Sequence, residues 1–430
     1  MIKKIKMPRQ VGWLIPGLQV KRWFALTLMG TVLMTVGILI WFDIKPVYYT
    51  MQFISEIATK ISTEWLAFAF IMFGAAFFFK GWQKTNLSML DMDNQDNDVL
   101  LENLYRRRKL NRGPRIVAVG GGTGLSMLLS GIKNITNNIT AVVTVGDDGG
   151  SSGRLRESLG ILPPGDIRHC ITALADDEDL VTKLFKYRFK NGEGLEGHSF
   201  GNLFLTAMCA ITGNMVSAIK ASSNVISIRG RVLPSTLDDM KLVAEMEDGR
   251  IVHGESTIPE AGGKIKRLFS DPENCRALPE VIEAIKQAEL IILGPGSLYT
   301  SVIPNLLIKE ISDEIAKSKA KKIYVCNIMS QPGETDNYTV SDHLKALIQH
   351  SGHKIMDAVL VNNYIPENLA DKYQKSNSYP IKLDTNEIKK LGVQICAKNL
   401  IESNKDGLVR HSAGKVARAV YYWFRKELKG

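Results

Sequence analysis

Arg115 to Ser126 reads RIVAVGGGTGLS, an apolar run that stops at three consecutive glycines and restarts as a helix near Thr123. Ile116, Val117, Ala118 and Val119 are near-continuously apolar, the pattern of a central parallel strand covered on both faces. Gly120, Gly121, Gly122 and Gly124 lack a β-carbon, so the backbone can turn sharply and come close to a ligand. A helix after such a turn offers unpaired N–H groups and a positive dipole end to an anion. The stretch predicts the first strand, phosphate loop and helix start of a nucleotide-binding α/β domain. It matches neither G-x-x-x-x-G-K-[ST], because no Lys-Ser or Lys-Thr follows, nor G-x-G-x-x-G, because Leu125 stands at the last position. A tight turn without a ligand is the competing reading.

Further along, apolar runs end in more loops of this kind. Ile139 to Val145 (ITAVVTV) predicts the second strand and ends in GDDGGSSGRLRES. Acidic residues at that place in a dinucleotide fold commonly hold a ribose hydroxyl or a metal ion, which suits Asp147 and Asp148. Arg154 and Arg156 could neutralise phosphate. In PPGDIRHC, Asp166 can cap a helix or stand as a second carboxylate beside Asp148. His198, Ser199 and Asn202 precede an apolar helix and could donate to a base or sugar, with His198 not assigned as a catalytic base. From about 224 to 270 the pattern turns antiparallel around the hairpin signal Asp248-Gly249, and Lys264, Lys266 and Arg267 follow two glycines. Leu290 to Leu293 predicts another strand, followed by GPGSLYTS with Gly294, Gly296 and Ser297, and Ile323–Cys326 and Asp357–Val361 predict two more. Arg410, His411 and Ser412 lie in a loop before a closing helix at about 412–428. Loops at the carboxyl ends of parallel strands are where open α/β sheets bind ligands.

At 430 residues two or more regions are expected. Of the formal charge of +10, residues 1–112 carry +7 (fifteen Lys and Arg against eight Asp and Glu), so the rest is near balance and a nucleic-acid role is not indicated. Trp23 to Phe42 is twenty residues without a charge, the length of a membrane-crossing helix. Trp65 to Phe79 is shorter, extended by Trp65, Lys80 and Trp82 as interfacial anchors. No signal-peptide cleavage pattern follows the first span. Basic residues flank the pair on one side, so residues 1–84 predict a membrane hairpin, with spans at about 23–42 and 63–82 and both termini in the cytoplasm. Between the spans, Phe53, Ile54, Ile57 and Ile61 recur at helical spacing, which allows a short interfacial helix. Residues 85–113 form an acidic then basic linker, and 114–430 the domain. The five cysteines are widely separated, which fits reduced thiols rather than a disulfide framework or zinc site.

The motifs GGGTG, TVGDDGGSSGRLR, PPGDIRHC, GHSFGN, GESTIPEAGGKIKR, GPGSLYTS, CNIMSQPGET and VRH together resemble the YvcK-type gluconeogenesis factors, over essentially all of residues 115–425. These belong to the wider superfamily of 2-phospho-L-lactate transferases of deazaflavin cofactor synthesis. The resemblance implies a Rossmann-like, mostly parallel α/β sheet with an antiparallel insertion, here preceded by two transmembrane helices. It implies binding of UDP-sugars such as UDP-N-acetylglucosamine or UDP-glucose, with roles in growth on gluconeogenic carbon, cell-wall synthesis and cell shape. Contacts are then expected from Gly121, Gly122, Thr123, Gly124, Asp147, Asp148, Ser151, Ser152, Arg154, Asn202, Lys264, Gly294, Gly296, Ser297 and Arg410. In the transferase branch two aspartates hold a metal and the transferred group; Asp148 and Asp166 are the matching positions, but the surrounding loops are of the glycine-rich factor type. The expectation is a sensor at the bacterial cytoplasmic membrane, without required cofactor or catalytic residue, with Mg²⁺ accompanying the UDP-sugar. Cell-wall-synthesis proteins are the expected partners and a homodimer is open. A Mg²⁺-dependent phospho-group transferase using Asp148 and Asp166 is the alternative.

Overall fold

The computed structural model describes residues 20–42, 44–58, 63–90, 109–176, 178–364, 377–403 and 409–428. It divides into two units, Met1–Arg108 and Lys109–Gly430. In the first, α1 (Val20–Trp41), α2 (Lys45–Ala58) and α3 (Thr63–Leu90) carry large apolar side chains in the open, among them Leu33, Met34, Trp65, Phe73 and Phe77. Among the described residues no single helix is long and apolar enough to cross a membrane. Much of the expected linker, including Arg106 to Arg108, lies outside the described residues, as does Ile61.

The second unit opens with β1 (Ile116–Gly120) and α4 (Gly122–Ile132), then β2 (Ile139–Val143), α5 (Gly150–Leu159) and α6 (Pro164–Leu174). Three helices, α7 (Glu178–Lys186), α8 (Phe200–Thr212) and α9 (Met215–Ile226), lead to β3 (Arg231–Pro234). An insertion follows: β4 (Lys241–Met246), β5 (Ile251–His253), α10 (Thr257–Glu260) and β6 (Ile265–Asp271). After α11 (Pro279–Gln287) come β7 (Leu290–Leu293), a one-turn π-helix (Leu298–Val302), α12 (Ile303–Leu307), α13 (Lys309–Lys317) and β8 (Lys321–Val325). The chain closes with α14 (Val340–Ser351), β9 (Ala358–Asn362), α15 (Thr385–Lys390), β10 (Gln394–Lys398), the hairpin β11 (Ile401–Ser403) and β12 (Val409–His411), and α16 (Ala413–Glu427).

Seven strands form one sheet in the order β10-β9-β8-β7-β1-β2-β3, every pair parallel. Side chains alternate between its faces, and both faces are buried. Val117 and Val119 join the core under α11 to α14, while Ile116 and Ala118 join Leu125, Leu129, Ile171, Val420 and Trp423 on the other side. The sheet grows outward from β1 in both directions, so the topological switch point lies between β1 and β7, where a crevice opens at the carboxyl ends.

The antiparallel sheet β5-β4-β6 is the expected insertion, its β4–β5 turn at Asp248-Gly249. It starts later than position 224, because Arg231–Pro234 pairs with β2 in the main sheet. Arg156 stitches the insertion down. It is buried, its guanidinium donating to Asp239 Oδ1 (2.5 Å), Met240 O (2.7 Å) and Val145 O (3.4 Å). Arg156→Ala leaves two buried carbonyls without donors and is expected to destabilise residues 109–430 by about 2 kcal/mol or more. Asp239→Ala, whose side chain is 68% exposed, should lose less than about 1 kcal/mol in the same urea unfolding measurement.

Candidate functional site

The loop after β1 is pressed from two sides. A β-carbon at Gly121 would lie 2.4 Å from Asp166 Oδ2 and 2.7 Å from Thr144 Cγ2. One at Gly124 would lie 2.5 Å from Pro295 O and 2.8 Å from Gly296 Cα, so the loops after β1 and β7 touch through backbone. Asn305 Nδ2 donates to Gly120 O (3.3 Å) from below. Asn327 fastens the other loop reciprocally, accepting from Gly296 N (3.3 Å) and donating to Gly296 O (2.8 Å). The Ser297 hydroxyl accepts from Gln331 Nε2 at 2.7 Å.

Four helix N-termini meet beside this crevice. Gly121 is the N-cap of α4, and Asp166 sits in the first turn of α6. Asp147 accepts from Gly149 N (3.0 Å) and from the Ser152 hydroxyl in the first turn of α5, and is close enough to Asp166 for mutual repulsion. In the first turn of α8, Asn202 Nδ2 donates to Ser151 Oγ (3.0 Å) and Ser152 Oγ (3.5 Å). Ser151 Oγ lies 2.9 Å from His198 Nδ1. Burial, with Arg154 and Arg188 nearby, lowers the His198 pKa and favours the neutral ring. Asn202 Oδ1 is buried without a donor.

The insertion adds one carboxylate that the sequence did not single out, Glu255, and the loop after β8 adds another, Glu334. Asp148 is tied to the insertion: its Oδ2 accepts from Glu255 N and its Oδ1 from Ser256 N, both at 2.9 Å. This clasp holds Glu255 near Asp147, Asp166 and Asp148. Burial, then the three aspartates and Glu334, push its carboxyl up to about 8. Burial lifts Glu334 to about 7, although Tyr299 N and Thr300 Oγ1 both donate to it. Glu255 arrives with the insertion; it lies in the GESTIPEAGGKIKR stretch, but nothing local marks its side chain for the site. Among the described residues no group of three or more His, Cys, Asp or Glu is arranged to hold a metal ion.

Some expected contacts lie apart. Lys264 is exposed and faces Glu247 at 3.9 Å in the insertion. Arg410 is exposed on β12 opposite Glu402, with no described contact to the glycine loops. Arg154 borders the site, donating to Glu196 O at 2.9 Å. Thr123 stands in the first turn of α4, its carbonyl accepting from Ser126 Oγ at 3.0 Å. All five cysteines are free, and burial pushes the thiol of Cys326 up to about 12, which suits an inert side chain.

A doubly wound α/β sheet with loops meeting at its switch point thus defines the class. A family profile described as "2-phospho-L-lactate transferase CofD" matches residues 116–401, and the chain belongs to this family. The gluconeogenesis factor of Bacillus subtilis (strain 168) is 51% identical over 309 residues, covering 72% of this chain and 97% of that protein. A relative from Nostoc sp. (strain PCC 7120), which carries the gluconeogenesis factor name, is 47% identical over 419 residues, covering 96% of this chain and 92% of its own. The crystal structure of protein BH3568 from Bacillus halodurans superposes with a TM-score of 0.70 at 48% identity, covering 72% of this chain and 100% of that one. The α/β unit therefore occurs as a folded chain by itself.

The raised carboxyls of Glu255 and Glu334 set a sign for pH dependence. Folded protein holds these protons more tightly than unfolded chain, so their stabilising contribution is full below the ordinary 4.5 and is lost as pH rises through about 7 and about 8. Urea midpoints of residues 109–430 should fall between about pH 5.5 and about pH 8.5, and Glu255→Gln should flatten that fall and raise the midpoint at the higher pH.

Proposed function

We propose that the protein is a UDP-sugar-binding regulatory protein of the gluconeogenesis factor type, attached to the bacterial cytoplasmic membrane and linking carbon metabolism to cell-wall synthesis and cell shape. The observation that carries the binding reading is the meeting of the N-termini of α4, α5, α6 and α8 around Asp147 and Asp166 at the switch point. Helix starts of this kind receive a diphosphate through unpaired N–H groups. Asn202 Oδ1, buried without a donor, would accept from a ligand N–H or O–H. If Mg²⁺ accompanies the nucleotide, Asp147 and Asp166 are the hard oxygen donors that would hold it, and the ion would offset diphosphate charge. Asp148 is engaged by the insertion instead.

Calorimetric titration of residues 109–430 with UDP-N-acetylglucosamine and UDP-glucose, with and without Mg²⁺, is expected to show binding with the nucleotide recovered intact. Asp166→Asn should weaken Mg²⁺-dependent binding at least about tenfold, the scale of one charge-assisted contact. A chemically altered nucleotide whose formation disappears in Asp166→Asn would make the protein a phospho-group transferase, and absence of binding would sink the reading.

Membrane attachment rests on α1 and α3, helices of 22 and 28 residues whose large apolar side chains are exposed, including Met34 at 69% and Phe77 at 75%. Such surface needs an apolar cover, which a bilayer supplies. The full chain is expected to stay in the membrane fraction after alkaline carbonate washing, and residues 109–430 alone to be released. Extraction of the full chain would refute the anchor.

A further inference from the structure

Residues 183–190 read KLFKYRFK, four basic residues and no acid, interleaved with Leu, Tyr and two Phe. Asp176, Asp177, Glu178 and Asp179 precede it, and Glu193 and Glu196 follow it. Phe185 turns inward and is buried, while Lys183, Leu184, Lys186, Tyr187, Arg188 and Lys190 are exposed. One turn back, Leu180 is 68% exposed and stands at helical i,i+4 spacing from Leu184, so the two leucines share the outer side of α7 with Lys183. Among the described residues none of the four basic side chains is in an ion pair with a carboxylate.

This surface is bolted to the site. Phe189 N donates to His198 O (3.0 Å), Gly197 N to Phe189 O (2.9 Å) and Phe200 N to Tyr187 O (2.8 Å), and Arg188 donates to Gly197 O. The strip at 187–190 therefore runs beside the segment that presents His198 to Ser151.

We propose that Leu180, Leu184 and Tyr187, ringed by Lys183, Lys186, Arg188 and Lys190, form a docking surface for an anionic lipid bilayer, which holds the His198 side of the site against the membrane. Apolar and aromatic side chains that enter the headgroup boundary, with cations around them, are the chemistry of a peripheral lipid contact. Single-stranded nucleic acid also favours interleaved cations and aromatics, but stacking gives no use to an outward pair of leucines. The idea extends the membrane-attached reading given above, and the covalent geometry suits it. The chain between Leu90 and Lys109 can reach no more than about 70 Å, against a domain breadth of about 50 Å, so the domain cannot leave the bilayer's vicinity once α1 to α3 are anchored.

The test is flotation of residues 109–430 with vesicles of phosphatidylglycerol and phosphatidylcholine, against vesicles of phosphatidylcholine alone. The domain is expected to float with the anionic vesicles and not the neutral ones. Lys183→Glu with Lys186→Glu and Lys190→Glu should lower the floated fraction at least about tenfold, on the basis of about 1 kcal/mol per basic residue. Leu184→Ala with Tyr187→Ala should lower it severalfold at unchanged charge and unchanged melting temperature. Charge reversal at the distant Lys286 and Lys317 should leave it within about twofold of the parent, so an equal loss there would reduce the contact to general charge attraction and overturn the proposal. No flotation, or capture of single-stranded RNA in place of vesicles, would overturn it as well. The anchor is judged separately by carbonate washing of the full chain. A domain that floats while the full chain washes off leaves docking standing and removes the anchor; the opposite pair of results does the reverse.

Discussion

Everything at the candidate site depends on one close approach, the backbone of Gly121 against the carboxylate of Asp166. That contact sets α4 and α6 nose to nose. From it, repulsion between Asp166 and Asp147 and the hydrogen bonds of Asp147 reach α5, and Asn202 carries the connection on to α8. On the other side Gly124 rests on the backbone after β7, which Asn327 fixes by giving and taking one hydrogen bond at Gly296. The candidate site is thus largely main chain, positioned by a few polar side chains, of which Asn202 keeps its Oδ1 without a donor.

The charge balance of this arrangement is lopsided. Helix N-termini favour carboxylates by roughly 0.3–1 kcal/mol each, up to about 2 in partly buried settings. Yet Asp147, despite donors from Gly149 and Ser152, still has its pKa raised, because burial and Asp166 outweigh them. Glu255 is raised further, with three aspartates around it and no cation among its causes.

The sheet was legible where it is most buried. Ile116–Val119, Ile139–Val143 and Leu290–Leu293 are strands because both faces are covered, which leaves an unbroken apolar run in the sequence. β3 and β10 escaped notice because edge strands need no such run: Arg231 opens one and Gln394 and Lys398 bracket the other. The glycine loops, Asp147, Asp166 and Asn202 could be found because each stands next to a strand end or helix start. Glu255 and Glu334 stand within GESTIPEAGGKIKR and CNIMSQPGET, but their place in the cluster was hidden, since they reach it through tertiary packing of the insertion and of the loop after β8. The same remoteness hid the engagement of Asp148, which sequence places beside Asp147 but tertiary hydrogen bonds commit to Glu255 and Ser256.

Two fasteners of the insertion come from one short piece of chain, while His350 on α14 accepts from Leu268 N at 2.9 Å as a third. Asp148 grips its outer loop at Glu255 and Ser256, and Arg156 grips its entry at Asp239 and Met240, eight positions further on across α5. The insertion and residues 148–156 are therefore mechanically joined, even though about eighty residues of helix and strand separate Arg156 from Asp239 in the chain. A chimaera that imports the insertion from a relative without this α5 segment loses the matching partners of Asp148 and Arg156. Exchanged together, the two pieces would travel as a cassette, and divergence within the family should show the pair drifting in step.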